Sequence, residues 1–127
     1  MKNKGKIIPN GVSLEKHEYD TILFLTTLGY DIELIPPTNT PKSKTPDFIM
    51  KGKAWEMKSP QGKSKTTIEH TFKKAVKQSE NIVIDLARTK MGERNAIKEA
   101  KRCFLQTKSC RRMIILTKRH KCLEFQK

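Results

Sequence analysis

The hydrophobic positions of this chain follow two spacings, one typical of helices and one typical of strands. The first helical segment begins at residue 14 and ends near residue 28, and its apolar stripe consists of Leu14, Ile22, Leu25 and Leu28. Recurrence at three- and four-residue intervals places these side chains on one face of a helix. Ser13 suits the N-cap position and Gly29 the stop, so we predict a helix between them.

Two later segments show the same helical spacing. Residues 66–79 carry lysines on the face opposite their apolar stripe, which consists of Ile68, Phe72, Ala75, Val76 and Ser79. Residues 92–108 have a stripe of Ala96, Ile97, Ala100 and Phe104. A helix with one apolar face packs that face against a core, so both segments are predicted to be helices on the surface of a globular domain.

Strand-like patterns fill the intervals between these helices. Apolar and polar residues alternate over 30–35, directly before two prolines, which predicts a strand. Residues 47–50 and 54–59 read as the two strands of a hairpin, because Gly52 can adopt the positive φ of a tight turn. Further apolar runs predict two buried strands and a short last strand, at 81–86, 111–118 and 122–125.

The predicted order is α-β-β-β-α-β-α-β, preceded by a basic arm or short leading strand at residues 1–12. Strands joined partly by a hairpin and partly through helices predict an α/β fold with a mixed β-sheet flanked by helices. The 127 residues can build one core but not two, so we assign residues 1–127 to a single domain.

The charge of the chain narrows the choice of partners. Lysine and arginine number 27 and aspartate and glutamate 13, a formal net charge of +14. Such an excess attracts phosphate backbones or anionic lipid. The longest apolar run, at residues 22–30, is far shorter than the roughly 20 residues that span a bilayer. We therefore expect no membrane association and a nucleic acid as the partner.

Asp47 and Glu56 are acids in a basic chain, and the predicted hairpin brings them to opposing positions. Two carboxylates a few ångströms apart repel each other unless a cation lies between them. Mg²⁺ prefers such oxygen ligands, and the backbone carbonyl of Met57 would add another. Lys58 lies on the same strand face as Glu56 and can orient a water or neutralise charge on a phosphate. This layout predicts a nuclease site.

The motif formed by Pro46-Asp47-Phe48 and Glu56-Met57-Lys58 resembles the PD-(D/E)XK pattern of restriction-endonuclease-like nucleases. The resemblance implies an αβββαβ core, in which the two acids bind a divalent metal and the lysine assists the attacking water. We expect Mg²⁺, with Mn²⁺ or Zn²⁺ as substitutes. It also implies a further acid from the preceding helix.

Glu18 is the first candidate for that helix acid, because helical projection places it on the apolar stripe, where a carboxylate needs a partner. Glu15 lies nearer the edge of the stripe and is the second candidate. A salt bridge to a nearby lysine accounts for either acid equally well.

Residues 14–86 as a whole resemble the C-terminal toxin domains of contact-dependent growth inhibition and related polymorphic toxins. The resemblance implies a tRNA-cleaving nuclease, exported as the C-terminal part of a larger polypeptide, that acts in the cytoplasm of a competing bacterium. It also implies a cognate immunity protein in the producer. A surface this basic suits an acidic immunity partner, because complementary charge speeds association.

Several side chains near the motif are candidates for nucleic-acid contact. Five lysines follow the motif and can clamp a phosphate backbone: Lys63, Lys65, Lys73, Lys74 and Lys77. A solvated lysine-rich helix face is the simpler interpretation of the same residues. Gln78 and His70 are weaker candidates, one near the end of the helix and the other able to act beside a phosphate.

Three alternatives remain open from the sequence. The same metal site could cut DNA instead of tRNA. The chain could be a basic module that binds nucleic acid without cleaving it, with Asp47 and Glu56 as surface salt-bridge acids. It could also be a metal-independent ribonuclease that uses His, Glu or Arg as acid and base.

Overall fold

The computed structural model describes residues 4–37 and 45–127. Within these ranges the helices and strands follow the predicted order. In chain order they are β1 (Ile7–Ile8), α1 (Lys16–Thr27), β2 (Ile32–Leu34), β3 (Phe48–Met50), β4 (Lys53–Lys58), α2 (Lys65–Gln78), β5 (Asn81–Asp85), α3 (Glu93–Gln106), β6 (Arg112–Leu116) and β7 (Cys122–Gln126).

The described strands form a seven-stranded sheet in which spatial order equals chain order, β1 to β7. The pairs β2–β3, β3–β4 and β6–β7 are antiparallel, whereas β1–β2, β4–β5 and β5–β6 are parallel. The predicted α/β fold with a mixed sheet flanked by helices is confirmed. The αβββαβ order is observed from α1 to β5.

The sheet separates two hydrophobic clusters. On one face Ile22 and Leu25 of α1 pack against strand residues that include Trp55 and Met57. On the other face α2 and α3 cover Ile82 and the neighbouring strands. Side chains alternate between the faces of a strand, so Glu56 and Lys58 lie on the α2 side of β4. No helix among the described residues is long and apolar enough to cross a membrane.

The start of α1 differs from the prediction. Glu15, not Ser13, is the N-cap, and the Glu18 Oε1 atom accepts a hydrogen bond from the Glu15 backbone N–H at 3.0 Å. Leu14 contributes to the α1-side core from outside the helix, packing against the buried cluster. The apolar spacing therefore predicted which side chains point inward but placed the helix boundary two residues too early.

The described part of the basic arm, residues 4–12, is attached to the domain. Ile7 and Ile8 form β1 and pair with β2, and the Gly5 N–H donates to the Thr26 carbonyl at 2.8 Å. A Cβ at Gly5 would lie 1.8 Å from the Tyr30 carbonyl oxygen, so this close approach requires glycine. Residues 1–3 of the predicted arm lie outside the described residues.

The hairpin turns on Lys51 and Gly52, whose φ angles are 56° and 74°. Two consecutive positive φ angles define the two-residue turn whose twist matches antiparallel strands. The register pairs Phe48 with Trp55, which places Asp47 opposite Glu56, as the sequence predicted.

Replacing Gly52 with alanine tests this turn. A Cβ at this position meets no atom within 4 Å, so the cost is the left-handed backbone alone, about 1 kcal/mol of unfolding free energy. Gly52→Asn is the control, because asparagine adopts the left-handed backbone more readily than alanine and should lose less stability at the same position. Urea unfolding of both variants measures the difference. Equal losses in the two variants would contradict the role of the turn.

Candidate active site

Asp47 precedes β3 and is fixed by the hairpin on both its backbone and its side chain. Its N–H donates to the Trp55 carbonyl at 2.9 Å. Its Oδ2 atom accepts a hydrogen bond from the Met57 backbone N–H, also at 2.9 Å. The carboxyl group is therefore held beside β4 in one orientation.

Glu56 lies next to Asp47 and is almost completely buried, with 5% of the residue exposed. Its Oε2 atom forms an ion pair with Lys58 Nζ at 3.1 Å, so the two side chains share a strand face as predicted. Its Oε1 atom is also buried and, apart from any proton shared with Asp47, receives no hydrogen bond from the described residues. A buried carboxylate oxygen without a donor is costly, so this atom needs a ligand or a proton.

The pKa values also show that burial disfavours the charged forms of both acids. Burial, followed by the charge of Asp47 and a hydrogen bond with it, raises the pKa of Glu56 to about 8, against the lowering effect of Lys58. Burial also raises the pKa of Asp47, and the charge of Glu18 adds to this, while the Met57 N–H and Lys58 lower it. Near pH 7, Glu56 therefore holds a proton unless another cation replaces it.

A divalent cation fits this pair of acids. Mg²⁺ usually takes one or two carboxylates and completes its shell with waters and substrate oxygens. Asp47 and Glu56 supply two carboxylates. Glu56 Oε1, which has no hydrogen-bond donor among the described residues, is available as a ligand of the cation. Within residues 4–37 and 45–127, no group of three or more His, Cys, Asp or Glu side chains is arranged to hold a metal. The role of the Met57 carbonyl remains a prediction.

The two candidate helix acids lie at the start of α1. Glu18 is half-buried, and its charge contributes to the raised pKa of Asp47. It lines a cavity with Lys58, although one of its oxygens caps the helix at Glu15. Glu15 is exposed and pairs with His17 at 3.4 Å. Glu18 is thus the acid nearer the pair, as the sequence ranked it.

Lys58 and Ser59 line two cavities, one on each side of the end of β4. The α1-side cavity has a volume of about 250 Å³ and is completed by His17, Glu18, Thr21, Met57 and Arg88. The α2-side cavity has a volume of about 390 Å³ and is completed by Pro60, Thr67, His70, Thr71 and Lys74. The walls of both cavities carry cations and hydroxyl groups, which are phosphate-binding groups.

The predicted basic residues divide between two surfaces. His70 and Lys74 line the α2-side cavity beside Lys58. Lys65 lines a different cavity between α2 and α3, where a hydrogen bond from Arg102 lowers the pKa of Glu99 and the charge of Lys65 lowers it further. Burial raises the pKa of Cys103 on α3, and the charge of Lys73 opposes this increase. Two of the five lysines therefore point toward α3, away from Lys58.

The remaining candidates are placed as follows. Lys63 and Lys77 are exposed, one before α2 and one in its last turn. Gln78 ends α2, and its Oε1 atom is buried without a partner among the described residues. Ser79, the next residue, donates to the Ala54 carbonyl, so Gln78 lies nearer the beginning of β4 than its end.

Sequence reasoning missed Arg88, which lines the α1-side cavity from the loop after β5. It also missed the buried hydrogen bond of 2.6 Å from Thr21 Oγ1 to Asp85 Oδ2, which ties α1 to β5. The sequence contained a signal for the position of Arg88, because the carboxyl ends of adjacent parallel strands meet at one edge of a sheet. The loops after β4 and β5 therefore had to be neighbours.

Residues 44–122 match the family described as the contact-dependent growth inhibition CdiA C-terminal domain. The chain belongs to this family. The matched range contains Asp47, Glu56, Lys58 and Arg88 but not Glu18. It extends past residue 86, where the resemblance seen in the sequence ended.

The fold has a counterpart among solved structures. A chain of the CdiA-CT/CdiI toxin and immunity complex from Burkholderia pseudomallei superposes with a TM-score of 0.74. The alignment covers 97% of this chain and 100% of that chain at 18% sequence identity, so it establishes a shared fold. No curated protein matches the sequence.

Glu56→Gln tests the protonation of the acid pair in metal-free protein. The folded chain binds the Glu56 proton more tightly than the unfolded chain does. The stability of the wild type therefore decreases as the pH rises from 4.5, the ordinary pKa, to about 8, the pKa in the folded chain. Glutamine removes this loss. The Tm advantage of Glu56→Gln over wild type should therefore grow from pH 4.5 to pH 8 and then level off.

Glu80→Gln is the control, because Glu80 is exposed and its substitution should give no such trend. Adding Mg²⁺ at pH 8 should raise the Tm of wild type but not that of Glu56→Gln, since ligand binding stabilises only the folded form that has the site. A Tm difference that is constant with pH would show that Glu56 does not carry the proton.

Proposed function

We propose that this domain is a divalent-metal-dependent nuclease of the PD-(D/E)XK type that cleaves tRNA in a target bacterium. The observation that carries this proposal is the buried Oε1 atom of Glu56 beside Asp47, which receives no hydrogen bond from the described residues apart from any proton shared with Asp47. A purely structural acid pair gains nothing from this arrangement, because burial raises both pKa values and leaves Glu56 Oε1 without a donor among the described residues. Two adjacent carboxylates with an available oxygen suit a divalent metal.

Each residue of the site has a separable role. Asp47 and Glu56 would hold the cation, which supplies an acidified water and neutralises charge on the scissile phosphate. Lys58 is fixed by its ion pair with Glu56 and can donate hydrogen bonds to the nucleophile or to a phosphate oxygen. Glu18 is close enough to influence Asp47 and would orient solvent from the α1 side.

The proposed substrate follows from charge and family. A net charge of +14 and two cation-lined cavities beside the acids favour a polyanion. Growth inhibition by the family is consistent with destruction of tRNA, which stops translation. DNA is the alternative substrate for the same site.

A cognate immunity protein is the second part of the proposal. The superposed Burkholderia chain comes from a complex of a toxin with its immunity protein. We expect an acidic partner that covers the basic cavities around Lys58 and that abolishes cleavage when added. The domain would reach the target cytoplasm as the C-terminal part of an exported polypeptide.

Asp47→Asn and Lys58→Met test the chemistry. With purified tRNA and Mg²⁺, each should lower the cleavage rate about 100-fold, the usual cost of removing a group that stabilises transition-state charge. Asp20→Asn and Lys108→Met are the controls, because both side chains are exposed and lie outside the two cavities. Gel analysis of end-labelled tRNA measures the rates.

The same assay separates the alternatives. EDTA should abolish wild-type cleavage, and cleavage unchanged by EDTA would favour a metal-independent ribonuclease. Plasmid nicking with intact tRNA would overturn the RNA assignment. If both site variants cut at the wild-type rate, the acid pair is not the active site. Binding without cleavage by wild type would indicate the non-catalytic module.

A further inference from the structure

Arg88 occupies a place in the structure that packing alone does not explain. It follows β5 and reaches the loop after β4, where its Nε atom donates to Ser59 Oγ at 3.0 Å. Its Nη2 atom donates to the Ser59 carbonyl at 2.9 Å. Two bonds to one residue fix the plane of the guanidinium group, which otherwise has several rotatable bonds.

The loop after β4, which contains Ser59, is also bonded to the residue that follows Arg88. Thr89 Oγ1 donates to the Gly62 carbonyl at 2.9 Å. Gly62 cannot carry a side chain, since a Cβ there would lie 2.2 Å from the Thr67 hydroxyl oxygen. Hydrogen bonds at two positions therefore join the two loops, and the Arg88 side chain cannot move away from Ser59 without breaking its own two bonds.

Arg88 forms no ion pair with the described residues. The ion pairs of residues 4–37 and 45–127 involve other cations, which are His17, Lys51, Lys58 and Arg102. Arg88 is half-buried and lines the α1-side cavity with His17, Lys58 and one acid, Glu18. Two of its nitrogens donate hydrogen bonds to Ser59, and Nη1 has no hydrogen-bond partner within residues 4–37 and 45–127. A fixed cation that has no ion pair of its own, on a cavity wall that also carries Lys58, is suited to an anion.

We propose that Arg88 binds a backbone phosphate of the nucleic-acid substrate on the α1 side of Lys58, so that the strand crosses the end of β4 with phosphates held on both sides. The α2-side cavity, with His70 and Lys74, holds the phosphate on the other side. This inference rests on the proposed nuclease function and adds a subsite and a path. Because the contacts are to backbone phosphates, Arg88 contributes affinity without base specificity.

Binding measured without cleavage provides the test. In an Asp47→Asn background with EDTA, the affinity for a tRNA is measured by filter binding at several salt concentrations. Arg88→Gln should weaken binding about 10-fold, the cost of one charge-assisted hydrogen bond. It should also reduce the slope of log affinity against log salt by about 0.7, the value for one phosphate contact on a single strand.

Two further variants separate charge from structure. Arg88→Lys keeps the charge but loses the pair of hydrogen bonds to Ser59. It should therefore restore the salt slope and part of the affinity. Arg111→Gln is the matched control, because Arg111 is exposed and directly precedes β6, at the edge of the sheet opposite Arg88. Circular dichroism and Tm show whether each variant is folded.

The outcomes distinguish this inference from the proposed function. An Arg88→Gln protein that is folded and binds with unchanged affinity and slope overturns the phosphate subsite, even if wild type cleaves tRNA. Restoration of the slope by Arg88→Lys supports it. If wild type does not cleave tRNA but the slope still falls with Arg88→Gln, the subsite stands and the tRNA assignment fails. Equal slope changes in Arg88→Gln and Arg111→Gln would show only a general charge effect and would also overturn it.

Discussion

The burial of two neighbouring carboxyl groups is the constraint on which the site depends. Water would normally screen Asp47 from Glu56, but the hairpin and α2 exclude it, so both pKa values rise. Lys58 forms an ion pair with one oxygen of Glu56, and the other oxygen has no hydrogen-bond donor among the described residues. A cation bound by the two carboxylates would offset this repulsion, because low dielectric strengthens attraction between opposite charges as much as repulsion between like charges.

The sheet topology explains how other groups reach this pair. Parallel pairing of β4 with β5 brings their carboxyl ends to one edge, where Ser59 and Arg88 bond to each other. The hydrogen bond from Thr21 to Asp85 anchors α1 at the same edge and thereby places Glu18 beside the site. Groups from both layers of helices therefore meet where β4 ends.

The packing of α1 on one face of the sheet and of α2 and α3 on the other distributes the lysines over different surfaces. The side chains of a helix packed on a sheet point in several directions. On α2, Lys74 therefore lines the cavity beside Lys58, whereas Lys65 lines the cavity next to α3. Near α3, lysine charge acts on Glu99, which is paired with Arg102. Net charge therefore overstates the number of lysines that can contact a substrate at Lys58.

The sequence by itself determined the elements and the acid pair, because apolar spacing and the Gly52 turn are local properties that fix which face each residue occupies. It therefore placed Asp47 opposite Glu56 and Lys58 on the same face. Only the tertiary structure decided the N-cap at Glu15, the division of the lysines and the position of Arg88. Those depend on contacts between segments distant in the chain, such as Arg88 with Ser59, for which short-range periodicity carries no information.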